Sequence, residues 1–145
     1  MYICLIHLYA GYSYIMSIYK STGSVYNIQF HFVWCTKYRS KVLTPAIQER
    51  LKELIQIRAE ELNISILALE VQSDQVHCFV SVNPSDAPQH YVSQLKGITS
   101  HVLREEYSEL RSKLPCLWSR SYYVASVGYV SNETIQDYIE TQKNK

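Results

Sequence analysis

Residues 64–82 read Ile-Ser-Ile-Leu-Ala-Leu-Glu-Val-Gln-Ser-Asp-Gln-Val-His-Cys-Phe-Val-Ser-Val and contain two β-rich runs. Ser73 and Asp74 between the runs are typical turn residues, so residues 64–71 and 75–82 are predicted to form a hairpin. In the second run, a period of two places Gln75 and His77 on one face of the strand. The stretch therefore predicts two polar side chains that point to the same face of a sheet.

The flanking segments complete the order strand, helix, strand, strand, helix, strand. Residues 25–36 alternate as a half-buried strand, and Thr44 followed by Pro45 begins a helix over residues 45–62. An apolar stripe over residues 92–103 predicts a second helix, and residues 121–128 predict a last strand. This order predicts an α+β fold of the ferredoxin-like, split βαβ type, with two helices covering one face of an antiparallel sheet. Gln75 and His77 are expected on the open face.

An additional C-terminal helix is predicted from a cap at Ser131, and it carries Tyr138 and Gln142 four residues apart on one face. Side chains that hold a hard cation, with a tyrosine hydroxyl close by, suffice for attack on a phosphodiester through a covalent tyrosyl intermediate. Taken singly, none of these signals is specific. A histidine in a strand is more often a hydrogen-bonded, half-buried residue, and a tyrosine on a helix more often packs at the edge of a core.

Composition predicts one domain. The 145 residues are 47% apolar, and the net charge of +1 is too small to indicate nucleic acid, a membrane or an acidic partner.

Residues 1–15 lack a basic region, a cleavage signal and the roughly 20 apolar residues of a membrane span, so they are expected to be an N-terminal extension, with the domain at residues 16–145. The four cysteines form no CxxC pair, which favours free thiols in a reducing cytoplasm.

Five separated motifs, in this order, resemble the transposases of small single-strand-transposing insertion sequences, the one-tyrosine members of the HUH nuclease superfamily. The resemblance covers residues 19–142. Residues before the last helix, at 118, 123 and 126–128, also match. The motifs are Ser-Val-Tyr-Asn at 24–27, Phe-Val-Trp-Cys-Thr-Lys-Tyr-Arg-Ser-Lys-Val-Leu at 32–43, Asp-Gln-Val-His at 74–77, Leu-Lys-Gly-Ile-Thr-Ser at 95–100 and Tyr-Ile-Glu-Thr-Gln at 138–142.

The resemblance implies a role for each site residue. His77 matches the second histidine of a His-hydrophobic-His metal site, Gln142 matches a metal ligand on the tyrosine helix, and Tyr138 matches the nucleophile that forms a 5′-phosphotyrosine. Gln75 stands where the family has its first histidine. An amide oxygen still suits Mg²⁺ or Mn²⁺, but the loss of an imidazole should weaken binding of softer metals. Asp74 could compensate only through a local bulge.

The resemblance also implies the partners. These are single-stranded DNA with terminal hairpins and a second copy of the chain, in a homodimer with composite active sites; no membrane and no nucleotide cofactor are expected. Lys37, Arg39, Lys41 and Lys96 are candidates for phosphate contacts, and Tyr38 for stacking on a base; each is alternatively an ordinary solvated residue. Three other readings remain open, namely a catalytically decayed copy, a non-enzymatic single-stranded nucleic-acid-binding module and a dimeric small-ligand sensor.

Overall fold

The computed structural model describes residues 2–9, 12–21, 23–127, 137 and 140–143. The chain begins with a three-stranded antiparallel sheet in the order β1-β2-β3, formed by β1 (Tyr2–Tyr9), β2 (Tyr12–Ser21) and β3 (Ser24–Tyr26). Gly23 joins β2 to β3 with φ +88°, a backbone conformation that other L-residues rarely adopt. The predicted boundary between residues 15 and 16 falls inside β2, and the division into an extension and a domain stays a prediction.

The chain changes sheets at Asn27. β3 ends at Tyr26, which pairs with Tyr19, whereas β4 (Ile28–Cys35) begins at Ile28, which pairs with Val82. The expectation of one strand over residues 25–36 is therefore wrong. Alternation of apolar and polar residues continues through Asn27, but it carries no information about which partner strand each half selects.

The second sheet contains four antiparallel strands in the order β5-β6-β4-β7, with β5 (Ser65–Val71), β6 (Gln75–Val82) and β7 (Tyr123–Val127). The hairpin of β5 and β6 was predicted from the sequence. Its second strand pairs with β4, and β7 lies on the other side of β4. This arrangement confirms the α+β, ferredoxin-like fold.

The first of two long helices begins where the sequence predicts, and the second begins at Pro88, four residues before the predicted apolar stripe. α1 (Pro45–Glu61) starts with Pro45 in its first turn, and the Thr44 hydroxyl accepts a hydrogen bond from the Ile47 amide at 3.4 Å. α2 (Pro88–Glu106) also has a first-turn proline. A short helix, α3 (Ser108–Lys113), was not predicted, and a 3₁₀ turn (Lys37–Arg39) follows β4. Among the described residues, no helix is both long and apolar enough to cross a membrane.

The hydrophobic core lies between the helices and one face of the second sheet. The sheet contributes alternate residues from its central strands, and each helix contributes one apolar stripe. Every second residue of β4 and β6 is therefore directed away from the helices. Fully buried core members include Phe32, Trp34, Val76, Cys78 and Val80 from the sheet, and Ile47, Leu51, Ile55, Val92, Leu95 and Leu103 from the helices.

Candidate functional site

Gln75 and His77 lie on the sheet face that α1 and α2 leave uncovered, as the alternation predicted. The neighbours Val76 and Cys78 are buried in the core on the opposite face. β6 pairs with β4 without a shift in register from Gln75 to Val82, so this alternation is unbroken. His77 is nevertheless only 4% exposed, and Gln75 is half-buried. His77 therefore lies on the face that the helices leave open, but its side chain is itself covered.

His77 has polar neighbours on both adjacent strands. Glu70 of β5 is its direct partner in the antiparallel register, and His31 of β4 lies diagonally across, with its Nε2 3.3 Å from Nδ1 of His77. Burial lowers the pKa of His77, and the Glu70 carboxylate partly opposes this shift. His77 is therefore a neutral imidazole near pH 7, which is the form that binds metal ions.

The His31 ring is held by aromatic side chains on both sides of β4. It stacks on Phe79 with ring centroids 4.0 Å apart and planes 4° apart, and it meets Tyr123 of β7 edge to face at 6.0 Å. His31 is 7% exposed, and burial together with the nearby His77 lowers its pKa to about 4. The structure places it in contact with His77.

Gln72 connects Gln75, at the start of β6, to the C-terminal helical segment, residues 140–143. The side-chain amide of Gln75 donates a hydrogen bond to Oε1 of Gln72, and Nε2 of Gln72 donates to the backbone carbonyl of Gln142 at 3.0 Å. Gln142 is half-buried. The two predicted ligand positions, Gln75 and Gln142, are thus brought to one place through Gln72.

A second contact fixes the same segment to β5. Nζ of Lys143 lies 3.3 Å from the carboxylate of Glu70, the residue opposite His77. The C-terminal helical segment therefore lies along the polar end of the β5–β6 hairpin of its own chain. Tyr138, the predicted nucleophile, lies outside the described residues.

Two side chains at this end of the hairpin, those of His77 and Gln75, carry atoms that can bind a divalent cation. His77 is neutral, and the hydrogen bond from Gln75 to Gln72 uses the amide nitrogen of Gln75 and not the oxygen that a cation takes. Among the described residues, no three His, Cys, Asp or Glu side chains are grouped closely enough to hold a metal ion. The predicted ligand set is of a different kind, because His77 is its one residue of these four types and its other two ligands are glutamines.

The carboxylate of Asp74 is paired with Arg39. Its carboxylate accepts hydrogen bonds from Nε and Nη2 of Arg39 at 3.3 and 3.2 Å, and its backbone carbonyl accepts from the Thr36 amide. Because β6 begins in regular register at Gln75, no bulge in that strand turns Asp74 toward His77. Asp74 instead ties the start of β6 to the turn after β4.

The turn after β4 presents Tyr38 to solvent in a strained backbone conformation. Tyr38 and Arg39 have φ angles of 61° and 53°, which are uncommon for residues other than glycine, and Tyr38 is 73% exposed. The turn is held by a hydrogen bond from the Thr36 hydroxyl to the Ser40 carbonyl at 2.7 Å. The ammonium of Lys37 lies 5.1 Å from the centre of the Tyr38 ring, and Lys41 is exposed.

Lys96 has a structural role that the sequence did not indicate. Its ammonium donates hydrogen bonds to the backbone carbonyls of residues 119, 120 and 121, at 2.8, 3.3 and 3.2 Å, and so fixes the segment that leads into β7. Burial lowers its pKa. A lysine ammonium has three donors, so these bonds compete directly with the predicted phosphate contact.

Residues 24–142 match a family model described as "Transposase IS200 like". The chain belongs to the IS200-like transposase family. The ISDra2 transposase TnpA of Deinococcus radiodurans is 34% identical over 128 residues, which cover 87% of this chain and 91% of that protein. The transposase for insertion sequence element IS200 of Salmonella typhimurium is 29% identical over 119 residues, covering 81% and 78%.

Solved structures of transposases share the fold. A crystal structure assigned as a transposase of Deinococcus radiodurans R1 superposes with a TM-score of 0.71 at 33% identity, covering 86% of this chain and 97% of that one. A REP-associated tyrosine transposase bound to a REP hairpin superposes with a TM-score of 0.56, covering 86% and 69%. At 17% identity, this second likeness shows the fold alone.

Three residues of this IS200-like transposase belong to the site but were not predicted. His31 lies on β4, Glu70 on β5 and Gln72 directly after β5, and each meets Gln75 or His77 of β6 through pairing or a side-chain contact. Gln72 directly follows the last residue of β5, two positions after Glu70. The sequence signal was therefore a polar residue on each side of Val71, Glu70 before it and Gln72 after it, which interrupts an otherwise apolar run.

Proposed function

We propose that this transposase cleaves and rejoins single-stranded DNA through a 5′-phosphotyrosine at Tyr138, with a divalent cation held by Gln75, His77 and Gln142. The observation that supports it best is the bridge through Gln72, which joins the Gln75 side chain to the backbone of Gln142. Tyr138 precedes Gln142 by four residues, a helical spacing that would bring the phenol to the same end of the β5–β6 hairpin.

The metal part of the proposal depends on three neutral ligands. The Nε2 atom of His77 and the amide oxygens of Gln75 and Gln142 would hold Mg²⁺ or Mn²⁺, and these oxygen-rich ligands suit hard cations. When bound, the cation would offset the charge that develops on the phosphate in the transition state. Glu70 is the carboxylate residue that lies directly opposite His77 in the pairing of β5 with β6.

The protein's part of the reaction is a phosphoryl transfer to and from a tyrosine. The Tyr138 hydroxyl attacks the scissile phosphorus in line, a Tyr–O–P bond forms, and the P–O3′ bond breaks. The phenol loses its proton, and the leaving oxygen takes one to become a free 3′-hydroxyl. Attack by a 3′-hydroxyl on the phosphotyrosine reverses the step and joins two ends, so no nucleotide cofactor is needed.

DNA binding is assigned to the turn after β4. Tyr38 is exposed and rigidly held, which suits stacking on an unpaired base, and Lys37, Arg39 and Lys41 surround it with positive charge. Arg39 shares its charge with Asp74, so its phosphate contact would compete with that ion pair. Lys96 also remains a phosphate candidate under this proposal, in competition with its three carbonyl contacts. The proposed substrate carries hairpins at the element ends.

The proposed assembly is a homodimer in which the tyrosine helix of one subunit serves the other. The described contacts of Gln142 and Lys143 lie within one chain, on Gln72 and Glu70. In a symmetric dimer, each C-terminal helical segment could make these same contacts on the strand of its partner, because exchange of identical elements preserves every interaction.

A cleavage assay tests the function. Single-stranded DNA from the element ends, incubated with protein and Mn²⁺, should give a covalent adduct on a denaturing gel. Tyr138→Phe should abolish the adduct. Tyr123→Phe is the matched control, because Tyr123 is 58% exposed and lies beside His31, and this variant should retain the adduct. No adduct from the wild-type chain would overturn the proposal.

One observation favours a second candidate, a single-stranded DNA-binding module that has lost cleavage. Gln75 stands where the family resemblance places a histidine, and its amide is a weaker ligand than an imidazole for transition metals. This module would bind DNA through the turn around Tyr38 yet form no adduct with any divalent metal. Binding measured beside the cleavage assay, by fluorescence anisotropy of a labelled strand, separates the two candidates.

A further inference from the structure

The contact between the two histidines determines which nitrogen of His77 can bind a cation. Nε2 of His31 and Nδ1 of His77 are 3.3 Å apart, so one ring donates a proton to the other. A neutral imidazole, the form that binds a metal ion, carries one proton on one of its two ring nitrogens. Two arrangements are then possible, and they have opposite consequences for metal binding.

In the first arrangement, Nδ1–H of His77 donates to Nε2 of His31, and Nε2 of His77 carries the lone pair. In the second, Nε2–H of His31 donates to Nδ1 of His77, so the remaining proton of His77 is on its own Nε2. Only the first makes Nε2 of His77 a ligand atom, because a protonated nitrogen has no lone pair for a cation. Metal-binding histidines generally donate their other ring N–H to a fixed acceptor.

The side chains around His31 hold its ring in place, as a hydrogen-bond acceptor of fixed position requires. Its ring lies flat on Phe79 and edge-on to Tyr123, and at 7% exposure little water reaches it. His31 and Phe79 are direct partners in the pairing of β4 with β6, as are Val33 and His77. The relation between the two imidazoles is therefore set by the register of the two central strands.

We propose that His31 is a positioning residue, which accepts the Nδ1 proton of His77 and so fixes Nε2 of His77 as the metal-binding atom. The inference rests on the proposed function, since it takes His77 to be a ligand. It adds that the site depends on a residue of β4 that contacts neither the DNA nor the cation. Loss of such a partner typically lowers metal affinity about 10- to 100-fold.

Two variants separate hydrogen bonding from packing. His31→Phe keeps a ring on Phe79 but removes the acceptor, whereas His31→Gln keeps an acceptor in a smaller side chain. Calorimetric titration with Mn²⁺ should show affinity about 10- to 100-fold weaker in His31→Phe and largely restored in His31→Gln. Thermal melts establish that each variant is folded. Mn²⁺ affinity equal to wild type in a folded His31→Phe would overturn the inference.

Long-range ¹H–¹⁵N NMR of the metal-free wild-type chain tests the proton position without any variant. His77 should give the pattern of an Nδ1–H tautomer, and an Nε2–H pattern would overturn the inference even if His31→Phe fails to fold. The variant His77→Ala shows whether only the role of His31 is wrong or the proposed function as well. Unchanged Mn²⁺ affinity in His77→Ala overturns both, whereas weakened affinity there with unchanged affinity in His31→Phe overturns only the role of His31.

Discussion

Glu70 lies directly opposite His77 in the antiparallel pairing of β5 with β6, and its carboxylate is 3.3 Å from the ammonium of Lys143. One acidic residue thus contacts the C-terminal helical segment and faces the buried imidazole of the candidate site. Glu70 therefore has two separable effects: it places negative charge beside the proposed cation, and it attaches the segment that contains Gln142.

Glu70→Gln should weaken Mn²⁺ binding about tenfold. The proposed ligands are all neutral, and removal of the neighbouring charge leaves the cation uncompensated in a buried place. Unfolding free energy should change by less than about 1 kcal/mol, because the Lys143 side chain is 51% exposed and water can solvate its ammonium when the carboxylate is removed. Titration calorimetry and thermal melts measure the two quantities. Lys143→Met is the control; an equal loss of Mn²⁺ affinity in that variant would assign the effect to segment attachment and not to charge.

Gln75→His should strengthen binding of Mn²⁺, and that of Co²⁺ still more, because an imidazole replaces an amide as ligand. Metal-dependent cleavage should rise with it. Gln72→Ala serves as a comparison, since it removes the partner of the Gln75 amide without changing the ligand. If affinity and cleavage rate are unchanged in Gln75→His, then position 75 is not a ligand.

Tyr38→Gly should change stability and DNA binding in opposite directions. Glycine relieves the positive φ at this position and should stabilise the fold by up to about 1 kcal/mol. Loss of the ring should weaken single-stranded DNA binding by about 1–3 kcal/mol if a base stacks there. Chemical denaturation and fluorescence anisotropy provide the two readouts. Tyr38→Phe keeps the ring and should bind like wild type; DNA affinity unchanged in Tyr38→Gly would exclude stacking.

Mixing two inactive variants tests the composite dimer. Tyr138→Phe and His77→Ala each lack one half of the site, and subunit exchange gives heterodimers in which one composite site is intact. With random exchange, cleavage should return to about a quarter of the wild-type level. A site built from one chain alone would regain nothing, because each subunit carries a defect. Covalent adduct on labelled DNA is the measurement.

The sequence predicted the elements better than the contacts between them. Apolar periodicity and turn residues located α1, α2 and the β5–β6 hairpin, because these signals are local. The change of sheet at Asn27 was missed, since β3 and β4 have the same alternation and differ only in their partners, Tyr19 for one and Val82 for the other. Partner choice is a tertiary property.

The same reason explains what was missed at the site. The strand pattern placed Gln75 and His77 on one face, and the family resemblance supplied their roles. The contact of His31 with His77 depends on the register of β4 against β6, and the position of Glu70 depends on that of β5 against β6. Neither register can be read from a single strand. The roles assigned to Tyr138, His77, Gln75 and Gln142 stay predictions.

The most direct test of the central claim is to locate the covalent bond to DNA. Wild-type protein incubated with single-stranded DNA from the element ends and Mn²⁺ would be digested with nuclease and protease, and the nucleotide-bearing peptide fragmented in a mass spectrometer. The proposed function predicts a 5′-phosphotyrosine at Tyr138. A nucleotide on Tyr123 or on any other residue, or no nucleotide-bearing peptide at all, would contradict it.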